Sequence, residues 1–333
     1  MSKITQNSKV KRAEMSASIL RNKGTSKQIE KSFNFTVEMD DIDMPNTVFQ
    51  TTDEVSVMEA VQSLIKQHVD YSDEKSSNYS QFSDPEFKAD FNSIYLQNDL
   101  DGDDKKDFIQ DQFSKIKWFR PKHIVEDDEF GFDSLSGKKR TDVRISQGNL
   151  KDNWFLSALS IIVTEETLFQ NLTCDQQFDR FRSYGLYVFK FYKDGTSYFV
   201  IVDDKIPCIE RKNGTRVPFF AKCQDPSLFW VCLIEKAYAK LHKRYWALTN
   251  GTVEDALHDL TGIYPERMPV DHSKYTDISK LYDAMKILTL SGALIGTALI
   301  YEDSSVNNTD QAKQKNEAKL KGLQPGVYYS VLD

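Results

Sequence analysis

Apolar residues recur along the chain with two different periods, and the switches between them mark its elements. In "SVMEAVQSLIKQHV", from Ser56, the residues Val57, Val61, Leu64, Ile65 and Val69 form one stripe of an amphipathic helix suited to packing on a core. "GLYVFKFYKDGTSYFVIVDDKIP", Gly185 to Pro207, gives two runs of aromatic and β-branched residues around Asp194-Gly195, which predicts a β-hairpin. From Asp225 the period returns to that of a helix. Pro226 and a potential N-cap, Ser227, precede Trp230, Ile234, Ala237, Leu241, Tyr245 and Leu248 on one wide apolar face. Asn153 to Ile162 is apolar almost all round and predicts a buried helix with Asn153 as its N-cap. Past Gly262 the pattern loosens, which places a lobe boundary there. A helix from about Asp277 to Leu290 follows, stopped by Ser291-Gly292, then a strand "ALIGTALIY", a polar insert from Glu302 to Gly322, and a last strand "VYYSVL".

Composition refines this picture at the N-terminus. Residues 1 to about 31 are rich in Lys, Arg, Ser and Asn and poor in large apolar side chains, which predicts a flexible basic arm. The expected division is therefore an arm plus short helix over 1–75, a first lobe over 76–262 and a partial second lobe over 263–333. The net charge of -7 speaks against a surface built to grip nucleic acid. No apolar run approaches the roughly 20 residues of a membrane span. Cys174, Cys208, Cys223 and Cys232 show no CxxC spacing and read as reduced thiols of a cytoplasmic protein. "NDLDGDDKKDF" fails as a calcium loop, because centring its turn on Gly102 puts Gln97 first and Phe108 last, where carboxylates are required.

One stretch carries candidate chemistry. In "ISQGNLKDNWFLSALSII", Gln147 precedes by six residues the start of an apolar helix at Asn153. A cysteine protease places its thiolate at such a helix N-terminus, with a Gln side chain and a backbone N–H to receive the oxyanion. Here the scaffold is present and Asn153 stands where the thiol belongs. The segment resembles the calpain family pattern QGxLGDCWLLAA, and the likeness extends well beyond it. "FSDPEF" at Phe82, "WFRPKHI" at Trp118, "RTD" at Arg140, "VDDKIP" at Val202, "FWVCLIEKAYAKLHKRYWAL" at Phe229, "HDLTG" at His258, "SGALIGTALI" at Ser291 and "GLQPGVYYSV" at Gly322 follow in the family's order, covering about Phe82 to Asp333.

The resemblance implies an α+β, papain-like calpain protease core: a helical first lobe with a β-hairpin and a truncated antiparallel second lobe. It places the nucleophile at Asn153, the general-base histidine at Val327 and the oxyanion glutamine at Gln147, and the third catalytic residue beyond Asp333. A carboxamide is not a nucleophile at neutral pH and Val cannot transfer a proton. Lys151 replaces the family's Gly beside the nucleophile, and two extra residues lie between Asp142 and Gln147. The bland readings are that Gln147 satisfies backbone groups and Asn153 caps a helix. The family's first-lobe calcium site would use Asp142 and the residue at Leu228, whose side chain cannot ligate a hard cation. No cofactor is expected, and calcium enters by resemblance alone. The expected function is a calpain-like pseudoprotease, a scaffolding component of a cytoplasmic or cytoskeleton-associated assembly whose protein partner covers the edge strand 326–332. The alternatives are a calpain-type cysteine endopeptidase, by family resemblance, and a module that holds peptides in the old cleft.

Overall fold

The computed structural model describes residues 14–20, 45–69, 81–95, 113–125, 144–270, 278–300 and 327–331. They build an α+β protein that divides into two compact units, one of Lys23–Ile263 and one of Met1–Asn22 with Tyr264–Asp333. Strand β1 (Glu14–Leu20) belongs to the smaller unit, and the larger begins with β2 (Val48–Gln50) and helix α1 (Glu54–His68). Asp53 caps α1, its Oδ1 accepting the Val55 N–H at 3.0 Å. The stripe of Val57, Val61, Ile65 and Val69 packs against Leu186, Val188, Phe199 and Ile201, so α1 is a core helix of the larger unit.

After α1 come β3 (Ile116–Phe119), β4 (Ile145–Ser146), α2 (Asn153–Ile162), α3 (Glu166–Thr173) and the single turn α4 (Asp175–Phe178). The predicted hairpin is β5 (Leu186–Lys193) with β6 (Thr196–Asp203), paired antiparallel from Lys193 opposite Thr196 to Leu186 opposite Asp203. Both turn residues are left-handed, Asp194 at φ 50° and Gly195 at φ 75°, which matches the twist of the strands. Strand β2 adds to the far side of β6.

Strands β7 (Ile206–Glu210), β8 (Arg216–Pro218) and β9 (Lys222–Cys223) lead to α5 (Trp230–Leu241) and then α6 (Val253–Thr261). Every residue of α5 is buried, more than one apolar face would require. The helix starts at Trp230, not at Leu228 as a Ser227 cap would make it. Ser227 instead donates its N–H and hydroxyl to Asp225 Oδ1, at 3.0 and 2.6 Å, in an Asx turn before the helix.

Burying all of α5 takes two lysines out of water, and each is met by a carboxylate. Lys236 Nζ donates to Asp203 Oδ1 and to the carbonyls of Asp203 and Lys205. Lys240 Nζ donates to Asp84 Oδ2, Thr47 Oγ1 and the Ile201 carbonyl. Asp84 Oδ1 in turn accepts the N–H groups of Glu86 and Phe87, and Asp203 Oδ2 that of Asp84. Arg120 closes the frame by pairing with Asp204 and donating to the Phe82 carbonyl at 2.7 Å. "FSDPEF", "WFRP", "VDDKIP" and "EKAYAK" are thus joined in one buried polar frame.

The smaller unit contains β10 (Glu266–Val270), α7 (Ile278–Leu290), β11 (Leu294–Ile300) and β12 (Tyr328–Val331). Its antiparallel sheet runs β10-β1-β11-β12, with β12 at one edge. Helix α7 ends at Gly292, φ 81°, where the predicted Ser291-Gly292 stop falls. The reading of residues 1–31 as a flexible arm is corrected at Glu14–Leu20, which pairs with both β10 and β11. Met15, Ala17 and Ile19 alternate with serines at the strand period, but the run is short and set in polar sequence. The acidic run around Gly102 and the insert Glu302–Gly322 lie outside the described residues. Among the described residues no helix is long and apolar enough to cross a membrane.

Candidate functional site

Strand β4 pairs with β9, Ile145 opposite Cys223 and Ser146 opposite Lys222, and so delivers residues 147–152 to the start of α2. The loop lies against the chain at Phe219 and Phe220. Asn149 donates both its backbone N–H and its Nδ2 to the Phe219 carbonyl, each at 3.1 Å. A Cβ on Gly148 would stand 2.1 Å from the Phe220 carbonyl oxygen, so only glycine allows this approach. Gln147 is exposed and its Nε2 donates to the Leu150 carbonyl at 2.7 Å. That bond ties up a donor the resemblance assigns to an oxyanion.

Asn153 is half-buried and is the first residue of α2, with Asp152 in the N-cap position. The expectation that Asn153 caps the helix is thereby corrected. Asp152 supplies no side-chain cap either. Lys151 is exposed. Beneath them, Trp154 Nε1 donates to the Leu248 carbonyl at 2.9 Å, and Phe155 stacks on Tyr238 at 4.2 Å between ring centroids. Tyr238 donates to Asp259 Oδ2 at 2.8 Å, which fixes α5 to α6. The helix terminus is held firmly, and a carboxamide stands on it.

The Asp152 side chain turns inward instead of capping. It is fully buried and makes no capping bond to the N–H groups of α2. The group that meets it is the carboxyl of Glu235 on α5, itself 1% exposed. Burial raises the pKa of Asp152 to about 6, and burial, followed by the Asp152 charge, raises that of Glu235 well above its ordinary value. Glu235 accepts the Ala221 N–H on both oxygens, at 3.1 and 3.2 Å. A proton on Glu235, donated to Asp152, is the arrangement that leaves neither acid unsatisfied. Sequence reasoning missed this pair because nothing local relates residues 83 positions apart; the one signal was an Asp that should have capped α2 and a Glu amid apolar residues on α5.

The other sequence-predicted positions fall as follows. Val327 is half-buried and immediately precedes β12, in the smaller unit. Leu228 is 2% exposed. Asp142 lies outside the described residues. A buried leucine offers calcium nothing, and among the described residues no cluster of three or more His, Cys, Asp or Glu side chains could hold a metal. Of the two implied positions, Leu228 has no side-chain atom that could ligate the ion. All four cysteines are buried and free. Two stand at helix starts: Cys174 before α4 and Cys232 in the first turn of α5. Neither position yields an activated thiol. Cys174 precedes a helix of only one turn, and burial pushes Cys232 well above its ordinary pKa while its Sγ donates to the Ala221 carbonyl. Burial also pushes Cys208 and Cys223 up to about 12. His68, His123, His242 and His258 belong to the larger unit, and His272 lies outside the described residues.

Residues 82–333 match the family model described as calpain family cysteine protease. The chain is 30% identical over 232 residues to "Calpain clp-4" of Caenorhabditis elegans, a stretch covering 69% of this chain and 29% of that protein. It is 31% identical over 210 residues to "Calpain-8" of Mus musculus, covering 62% of this chain and 26% of the relative. It is 34% identical over 189 residues to "Calpain-type cysteine protease DEK1" of Arabidopsis thaliana, covering 55% and 8%. The chain thus spans less than a third of the length of these curated relatives.

Proposed function

The chain belongs to the calpain family of cysteine proteases, and from that premise we propose that it is a pseudoprotease, a scaffolding component of a larger assembly. The observation that carries the reading is the pair of replacements at the two reacting positions. Asn153 places an amide, whose nitrogen lone pair is delocalised, where a thiolate would stand. Val327 places a hydrocarbon where a base would take the proton. The buried thiols support the same reading, since none supplies a substitute nucleophile. Purified protein with calcium and unfolded casein is expected to release no fragments above a blank, and no cysteine should react with a thiol-directed epoxide. Calcium-dependent turnover that survives repurification would sink the proposal.

A scaffold needs a surface that joins, and the outer edge of β12 supplies one. Among the described residues β12 ends the sheet order β10-β1-β11-β12, which makes it the strand to which a partner's strand could add. We assign this edge to a protein partner. In hydrogen exchange, amides of residues 328–331 that bond outward should exchange fast in the isolated protein and slowly in its native assembly. Strong protection in the isolated protein would mean that no partner is required.

A further inference from the structure

The larger unit also holds a cavity of about 730 Å³, within the size range of built ligand sites. Leu228, Phe229 and Val217 give it apolar walls, and Arg216, Lys222 and His123 line it with nitrogen. Leu228 is the position at which the family resemblance requires a calcium-binding acid. In this chain the surroundings have the opposite character. Lys222, on β9, is half-buried and its ammonium has no hydrogen bond or ion pair among the described residues. Arg216 is fixed in place: Nη1 donates to the His123 carbonyl, Nε faces Glu210 Oε1 at 3.4 Å, and the guanidinium lies 4.3 Å from the Phe119 ring centroid. His123 registers the field on this wall, since its pKa is lowered by burial first and then by Lys122, Arg216 and Arg120. Among the described lining residues the acid is Asp225, which is engaged by the N–H and hydroxyl of Ser227.

We propose that this cavity binds an acidic segment of a partner protein, seating an aromatic or aliphatic side chain on Leu228 and Phe229 and a carboxylate on Lys222 and Arg216. The argument is charge and shape complementarity. A half-buried ammonium without a counter-ion beside an apolar wall is best satisfied by a carboxylate with a hydrophobic neighbour. The site does not depend on the state of Asn153 or Val327, so it stands apart from the pseudoprotease reading.

The test uses the full chain and a fluorescein-labelled peptide, Glu-Asp-Asp-Glu-Phe-Gly-Phe, which has the residue order of 126–132 in this chain. Binding followed by anisotropy should weaken about tenfold in Lys222→Glu, with the thermal melt read alongside to establish that the variant is folded. It should weaken similarly when both Phe of the peptide become Ser, and it should fall with added salt. The His123 pKa, followed by NMR, should rise when the peptide is bound, because an anion joins the cations that now depress it. Equal affinity in Lys222→Glu, or no binding by the full chain, overturns the proposal. Binding that appears only after Glu126 to Glu129 are replaced by serine also overturns it, by showing that the chain's own acidic segment is the occupant.

Discussion

Replacing Lys240 by methionine is expected to lower the free energy of unfolding by about 3–5 kcal/mol, the range for breaking a buried ion pair from one side. Lys240 is 1% exposed, and Met fills similar space without supplying a donor. The loss leaves the Asp84 carboxylate and the Ile201 carbonyl facing a thioether. Burial depresses the Lys240 pKa by more than Asp84 restores, so the pair's worth lies chiefly in neither partner being left alone. Urea unfolding would measure the effect, and a loss below about 1 kcal/mol would show that water reaches Asp84. Lys236→Met should cost as much by stranding Asp203, but with a distinct pH signature. Burial alone would raise the Asp203 carboxyl; Lys236 and the amides of Asp84 and Lys205 outweigh it and hold the pKa low. A depressed acid contributes stability that is complete above its unfolded pKa of about 4 and lost as pH falls through the folded value. The Lys236→Met penalty should therefore shrink as pH falls, beginning above about pH 4, where burial makes the unpaired Asp203 take up a proton, and continuing below it as the wild-type pair loses its own contribution.

This ionic frame also explains why so much of the fold was legible while the site was only partly so. "FSDPEF", "VDDKIP" and "EKAYAK" carry the family resemblance, and the structure gives their charged residues to holding Asp84, Asp203, Lys236 and Lys240 together below the surface. Loss of one member of such a frame strands another. The hairpin was legible because Asp194-Gly195 supplies its own turn, and α1 because its stripe needs no partner to be seen. Strand β1 was not, since its seven residues acquire meaning only between β10 and β11. Capping departed from expectation twice. Ser227, expected to cap α5, bonds Asp225 before the helix, and Asn153, expected to cap α2, is its first residue, with the Asp152 side chain turned to Glu235. That Asn153 stands where the resemblance puts the nucleophile was plain from sequence; the engagement of Gln147 by Leu150 required coordinates.

The second large effect concerns the acid pair beneath Asn153, where replacing Glu235 by glutamine is expected to stabilise the protein at neutral pH. Glutamine keeps the shape: its carbonyl oxygen can accept the Ala221 N–H as Glu235 does, and its amide can donate to Asp152, so no shared proton is needed. The sign follows from linkage. Burial raises both pKa values, Asp152 to about 6, and a raised acid contributes stability that is complete below its unfolded pKa and lost as pH rises through its folded pKa. The wild-type chain therefore loses stability from about pH 4 upward, by at most about 1.4 kcal/mol per pH step of one for each acid until that acid ionises. Asp204, which burial raises to about 6 despite Arg120, adds to the same slope but is present in both proteins and cancels in their difference. Relative to wild type, Glu235→Gln should gain about 1–3 kcal/mol at pH 8 and little at pH 5. Glu235→Ala, which removes the Ala221 acceptor and opens a cavity, should lose stability at both. Urea midpoints at the two pH values decide the matter. A Glu235→Gln effect equal at pH 5 and pH 8 would mean that the two carboxyls do not share a proton, and that the turn of Asp152 away from its capping position has another cause.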